Sequence, residues 1–523
     1  MHSTEQPTDA PTPASPPPGA DRHPRGLSTL FFTEMWERFS YYGMRALLVL
    51  FMVDAVRGGL GLNDKMATAI YGLYTSAVYL MSLPGGWLGD RLIGAQRAVW
   101  YGGLLIALGH FTLALPRPET FYLGLALVVA GSGMLKPNMS ALVAELYPEG
   151  GARRDAGFTI FYMGVNLGAA LGPLVCSTLG EKVNWHYGFG AAGIGMVLGL
   201  VQFRLTRHRL GGAGAECANR RPLAPAQRLV LAAAATALLL VVGLALAGAI
   251  RLDPVALAHA MTSVILGVGA VFFIGLFAFG KLESAEKRRV GMILILFVTS
   301  ALFWAGFEQA GSSFNLFADR YTDRVVGWFN FLLPAGRRNF AIPAGWYQSL
   351  GAVFIIVFAP VFAALWVRLA RRNLDPATPV KFGLGLLLLA SGFLVMAGAA
   401  RVVAGGAQAQ PTWLLATYLL HTFGELCLSP VGLSSVTKLA PRRFVGQLMG
   451  VWFLATSLGN LIAGQLAGEF KAERLPAWPG MYLKLMLVPT LAGVLLILLA
   501  RPIRKWVERG REVGSRIDSG QTR

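Results

Sequence analysis

Long apolar runs, separated by short joints of charged, glycine and proline residues, recur along almost the whole chain. A helix needs about 20 mostly apolar residues to cross a bilayer. Fourteen stretches qualify, at 27–53, 66–89, 96–115, 120–147, 156–179, 187–206, 227–249, 255–280, 290–318, 346–370, 381–402, 412–439, 443–468 and 480–501. Alternating segments of about 10 residues, which mark a membrane β-barrel, are absent. The pattern predicts an all-α polytopic membrane protein.

Composition agrees. Hydrophobic residues make up 54% of the 523 and charged residues 14%, where a soluble domain carries about 25% charged. The 63 glycines suit helices that approach closely through small residues. The net charge of +19 does not point to nucleic acid, because the basic residues form short clusters between apolar runs rather than a groove with interleaved aromatics. Cys176, Cys217 and Cys427 are too far apart for a metal spacing. Residues 1–26 are rich in Pro, Ser, Thr and Ala and are expected to form a disordered tail. The first apolar run contains Glu34, Glu37, Arg38 and Arg45, so it is a retained span rather than a signal peptide.

With the N-terminus placed in the cytoplasm, 30 of the 46 Lys and Arg fall in inner segments and 13 in outer ones; Arg38, Arg45 and Lys136 lie within spans. This bias puts both termini in the cytoplasm. A basic loop at 86–97 and another at 365–372 hint at two six-helix halves related as parallel repeats. The expected division is a tail at 1–26, a six-helix bundle at 27–206, a linker with two additional membrane helices at 207–289, a second six-helix bundle at 290–502 and a basic tail at 503–523. The two additional helices, nearly free of polar residues, are expected to be lipid-facing spacers.

The first span reads Thr33-Glu34-Met-Trp-Glu37-Arg38-Phe-Ser-Tyr41-Tyr42-Gly43-Met-Arg45. At about 100° per residue, Glu34, Arg38, Tyr41 and Arg45 share one stripe, flanked by Glu37 and Tyr42. Each charge at a helix centre costs roughly 2.5–3.5 kcal/mol on insertion scales, and short glutamates snorkel poorly, so the stripe must face a polar cavity. Lys136 precedes Pro137 in mid-span and is the natural partner of Glu34 or Glu37. Glu308 and Glu425 are intramembrane carboxylates of the second half. Burial favours the neutral form of a carboxyl and a nearby cation the ionised form. A carboxylate whose cation moves away can therefore take up and release a proton.

The Glu34-x-x-Glu37-Arg38-Phe-x-Tyr41-Tyr42 stretch, Lys136-Pro137-Asn138, Phe161-Tyr162-Met-Gly-Val-Asn166-Leu-Gly168, Phe307-Glu308-Gln309 and Gln348-Ser349-Leu350 resemble the proton-dependent oligopeptide transporter family. This is a branch of the major facilitator superfamily, and the resemblance extends over about 27–502. It implies the major facilitator fold, two six-helix bundles plus two extra central helices, and 14 transmembrane helices in all. It implies a symporter of the cell inner membrane that imports di- and tripeptides with protons by alternating access, acts as a monomer and needs no cofactor. It assigns the peptide carboxylate to Arg38, Tyr42, Tyr74, Lys136 and Asn166, the peptide amine to Glu425, and side-chain pockets to Ser429, Trp304 and Trp452. Proton coupling falls to Glu34, Glu37 and Glu308, and an outer gate to Arg45 with Glu308.

One position departs from the family pattern. Gly351 stands where an Asn usually helps hold the amine, which opens the alternative of a same-fold transporter of another small solute. A membrane enzyme is disfavoured by the lack of G-x-S-x-G, H-E-x-x-H or clustered histidines, and a non-transporting sensor by the intact set of charges. His110 reads as a packing residue, His421 as a helix-internal neighbour of Glu425, and Asp90 with Arg91 as an inner-gate contact.

Overall fold

A computed structural model describes residues 23–149, 151–217, 253–325 and 340–506, with isolated positions between 225 and 244. The expected seventh span at 227–249, nearly all of the N-terminal tail and most of the C-terminal tail lie outside the described residues, as do 326–339 of the long outer loop.

Fourteen helices are described. The first six are α1 Gly26–Val53, α2 Asp64–Leu88, α3 Ala95–Leu113, α4 Pro118–Glu145, α5 Gly151–Lys182 and α6 Trp185–Thr206. A single helix, α7 Pro254–Phe279, precedes the rest. Then come α8 Ser284–Phe307, α9 Ser313–Tyr321, α10 Ser349–Arg371, α11 Thr378–Ala404, α12 Pro411–Leu439, α13 Val445–Ala467 and α14 Trp478–Leu498. Caps come from the sequence where expected: Asn63 and Asn184 accept the N–H of Met66 and His186, and Pro opens α4, α7, α11 and α12, where its missing N–H is harmless.

Eleven stretches among the described residues are long and apolar enough to cross a membrane. α1 falls outside that set because its charged stripe interrupts every apolar window. The expected span 290–318 is two helices. α8 ends at Phe307, a tight 3₁₀ turn occupies Glu308–Gly311, and α9 resumes at Ser313. Broken helices of this kind are tolerated in a bilayer where the interrupted backbone faces protein or a cavity.

Helices α1 to α6 pack mainly on one another, led by α1 with α5 and α3 with α4; α8 to α14 do the same, led by α11 with α14 and α12. Close approach depends on bare backbone. A Cβ at Gly168 of α5 would strike the Met35 carbonyl of α1. The two groups of helices meet along α2 with α13 and α5 with α10. Helix α7 lies with one face against both α2 and α13, and most of the rest, Val264, Val271 and Ile274 included, is exposed, in keeping with the expected lipid-facing role. Its Thr262 hydroxyl accepts a 2.7 Å hydrogen bond from Gln465, and Ala258, Ile265, Phe273 and Leu276 are buried. The residue spacing of this apolar helix supplies a packing face that composition alone hides.

Candidate functional site: a charged cavity between the two helical groups

The seam between the halves is closed at one end. On the side away from the chain termini, Arg320 grips Asp64 in two parallel hydrogen bonds of 2.7 Å. Glu181 accepts the N–H groups of Ala344 (2.7 Å) and Gly345 (2.8 Å) and pairs with Arg324 at 3.3 Å. Asn315 donates to the Ala46 carbonyl at 2.9 Å, Ser349 to Ala170 at 2.7 Å, and Ser76 meets Ser457 at 2.6 Å. These bonds satisfy backbone and side-chain groups that would otherwise be stranded at the buried seam.

Below this closure lies a cavity of 690 Å³, within the size range of small-ligand sites. It runs from the Arg45–Glu308 pair toward the terminal side, where Gly86, Trp87, Asp90 and Ser140 face Gly446, Met449 and Gly450. Among the described residues, none of these seven bonds across to the other half.

Nine of the expected residues line the cavity: Glu34, Arg38, Tyr42, Arg45, Lys136, Asn166, Trp304, Glu308 and Glu425. Arg38 is the hub of the α1 stripe. Its Nε donates to Glu34 at 2.7 Å and lies 2.9 Å from Glu37. One N–H cannot point at both, and neither oxygen of the fully buried Glu37 has a hydrogen-bond partner. Glu37 is thus held by charge alone behind Arg38, not at the cavity wall. One turn on, Arg45 donates through Nε to Tyr71 at 2.5 Å and through Nη2 to Glu308 of the second half. That ion pair joins the halves at the broken helix.

The expectation that Lys136 pairs with Glu34 or Glu37 is not met. Arg38 takes both carboxylates, and the Lys136 ammonium sits over the rings of Tyr41 at 4.3 Å and Tyr79 at 5.0 Å. Stacking on two aromatic faces holds a cation without neutralising it. Tyr74 does not line the cavity; it stacks behind Tyr41 at 6.3 Å and so backs the surface that carries Lys136. Ser429 and Trp452 do not line it either. Trp452 packs edge-on against Phe382 at 6.4 Å and over Gly432, and the buried Ser429 hydroxyl has no partner. Both lie on the neighbouring surfaces of α12 and α13, a rotation that their sequence spacing does not disclose.

On the opposite wall, Glu425 is accompanied by Trp304, His421, Thr422, Gln348 and Gly351. A Cβ at Gly351 would meet only the Thr422 hydroxyl, at 3.9 Å. His421 is not hydrogen-bonded to Glu425; its ring packs among Phe307, Phe314 and Phe393. Asp90 lines the cavity mouth and forms no ion pair with Arg91 among the described residues. His110 is fully buried, as a packing residue should be. Tyr79, Tyr162, Gln348 and Phe453 also line the cavity. Tyr162 and Gln348 stand in the sequence motifs without an assigned role, and a polar or aromatic residue on an apolar helix carries no sign of which face it takes. Asn138 ties α4 to α2 through the Gly85 carbonyl at 3.1 Å.

The charge balance gives the site its chemistry. Arg38 is engaged by two carboxylates and Arg45 by Glu308, whereas Lys136 and Glu425 have no ion-pair partner among the described residues. Among the described residues, the first half offers an amine and the second a carboxyl without an ion-pair partner across one cavity.

The profile of the POT family matches residues 96–477. The peptide transporter of Yersinia enterocolitica is 43% identical, covering 92% of this chain and 95% of its own. The di-/tripeptide transporter of Lactococcus lactis subsp. cremoris is 36% identical over 92% of this chain and 96% of its own. A crystal structure of the peptide transporter POT in complex with sulfate superposes with a TM-score of 0.84 at 41% identity, covering 94% of this chain and 97% of that one. With the major facilitator architecture, a charged cavity between its halves and these likenesses spanning nearly its whole length, the chain belongs to the POT family of multi-pass membrane transporters.

Proposed function

We propose that this protein is a symporter that carries di- and tripeptides together with protons by alternating access, with peptide and proton as its only cargoes and no cofactor. The observation that carries this reading is the pair of ionisable groups without an ion-pair partner among the described residues, Lys136 and Glu425, on opposite walls of one 690 Å³ cavity. A zwitterion short enough to span them satisfies both, its carboxylate at Lys136 with Arg38, Tyr42 and Asn166 nearby, its amine at Glu425. Trp304 and Phe453 supply apolar wall for side chains. A buried unpaired charge is expensive, so the site gains most from a ligand with both charges.

Proton coupling rests on α1. Two carboxylates share one guanidinium, and Glu37 lacks any hydrogen bond. A proton is the natural third partner of that cluster. A second exchangeable site is Glu308, whose ion-pair partner among the described residues is Arg45 of the other half. When the halves separate on the far side, that pair must break and Glu308 is free to take a proton. The relatives' names, as a peptide transporter and a di-/tripeptide transporter, support the substrate class.

The same lysine and arginine bias that orients the loops places both termini in the cytoplasm of a cell whose inner membrane holds the protein. The cavity then faces inward in this structure, and the Arg45–Glu308 pair with the Glu181 and Asp64 contacts forms the closed outer gate.

A second reading is favoured by one observation, the open space beside Gly351, where a Cβ would meet only the Thr422 hydroxyl, at 3.9 Å. It is a proton-coupled carrier of another small amino-carboxylate; one POT family transporter, 31% identical to this chain with a TM-score of 0.82, has a crystal structure in complex with 5-aminolevulinic acid. Competition between a labelled dipeptide and unlabelled dipeptides, tripeptides and single amino acids separates the two. Dipeptides and tripeptides should compete at least tenfold better, about 1.4 kcal/mol, than single amino acids. The reverse order would favour the second reading.

A further inference from the structure

Away from the transport cavity, on the terminal side, a pocket of 390 Å³ lies between α8 and the segment that follows α14, lined by Arg288, Arg501, Pro502, Lys505 and Trp506. We propose that this pocket binds the phosphate headgroup of an anionic phospholipid. Arg501 and Lys505 are four residues apart on the helix that continues through 500–506, so they share a face, and Arg288 approaches from the second turn of α8. The lining contains three cations and no carboxylate. The nearest acid on α8, Glu286, is already taken by Arg443 at 2.7 Å and by its own capping bond to the Glu283 N–H. Arg288, Arg501 and Lys505 form no ion pair among the described residues. Three like charges around one concavity repel unless an anion lies between them.

Two features point to a lipid rather than to a free anion. The helix surface immediately before Arg501 is bare and apolar, with Leu495, Leu498 and Leu499 all exposed, and acyl chains of a bound lipid would lie along it. Trp506 sets its ring against Gly291, close enough that a Cβ there would lie 2.5 Å from it. This fixes the indole at the level where an apolar slope meets a basic rim, the position tryptophan takes at membrane interfaces. Basic pockets between membrane helices are suited to anionic headgroups.

Native mass spectrometry of the detergent-purified full chain, titrated with phosphatidylglycerol, phosphatidylcholine or inorganic phosphate, tests this. One phosphatidylglycerol should be retained roughly tenfold more tightly than phosphatidylcholine, and inorganic phosphate should not displace it. Arg288→Gln and Lys505→Gln should each weaken retention about fivefold, the change expected for one basic residue beside an anionic surface. Equal retention of the two lipids, displacement by millimolar phosphate, or undiminished retention by folded variants would overturn the assignment. Should the variants not fold, a photoactivatable phosphatidylglycerol on the unaltered protein decides. Cross-links should fall within 284–292 and 498–506, and labelling confined to other segments would overturn it.

Discussion

At the level of single residues, Glu37 and Gly351 carry the account's sharpest consequences. Glu37 is buried behind Arg38 without a hydrogen bond. Glu37→Gln keeps its shape and removes its exchangeable charge, so uphill uptake driven by a proton gradient should be abolished while exchange of substrate across the membrane persists. Accumulation at the normal level under an inward proton gradient would remove Glu37 from the coupling machinery. Gly351 faces open space toward Thr422. The Cβ of Gly351→Asn therefore meets no close neighbour, and its amide adds an acceptor in the cavity that Glu425 also lines. A hydrogen bond to a charged group contributes about 1.5–3 kcal/mol, some of it already supplied by water. Dipeptide binding should tighten by up to roughly tenfold, about 1.4 kcal/mol, and an N-acetylated dipeptide should gain nothing. An equal gain for both peptides would show that this wall does not read the amine.

Elements determine which end of the cavity is closed. Arg45 on α1 and Glu308 at the break after α8 hold the halves together. Removing one partner of such a buried pair costs about 3–5 kcal/mol, so either single neutralisation should depress transport. Exchanging the two charges should restore part of it, and strictly additive effects in a double-mutant cycle would rule out direct coupling. The α2–α13 seam depends on backbone contact. A Cβ at Gly464 would stand 2.5 Å from the Thr68 carbonyl and 2.9 Å from Gly72. Gly464→Val should wedge these helices apart. Spin labels at Asn63 and Glu469, near the far ends of α2 and α13, should then report longer distances. An unchanged distance distribution in the folded variant would show that the seam yields elsewhere.

For the molecule as a whole, much of this arrangement is legible in the sequence, because the bilayer punishes stray charge. The α1 stripe, Lys136, Glu308 and Glu425 announce a polar cavity simply by lying inside apolar runs. What sequence leaves open is rotation and partnership. Lys136 looks destined for a carboxylate, yet Arg38 shares α1 with both glutamates and takes them, and the tyrosines take the lysine. Trp452 and Ser429 share helices with lining residues but face the packed side. The break falls in the polar stretch Glu308-Gln309-Ala310-Gly311-Ser312-Ser313, which the long apolar run before it masks when the whole span is read as one helix.

If a peptide and a proton cross together through this cavity, each must require the other. The most direct measurement is internal pH in proteoliposomes containing the purified protein, with a simple dipeptide added outside under an inward-negative membrane potential. The lumen should acidify only when the dipeptide is present, not at all with Glu37→Gln, and in fixed ratio to peptide uptake. Peptide accumulation without lumenal acidification, or acidification indifferent to the peptide, would contradict it.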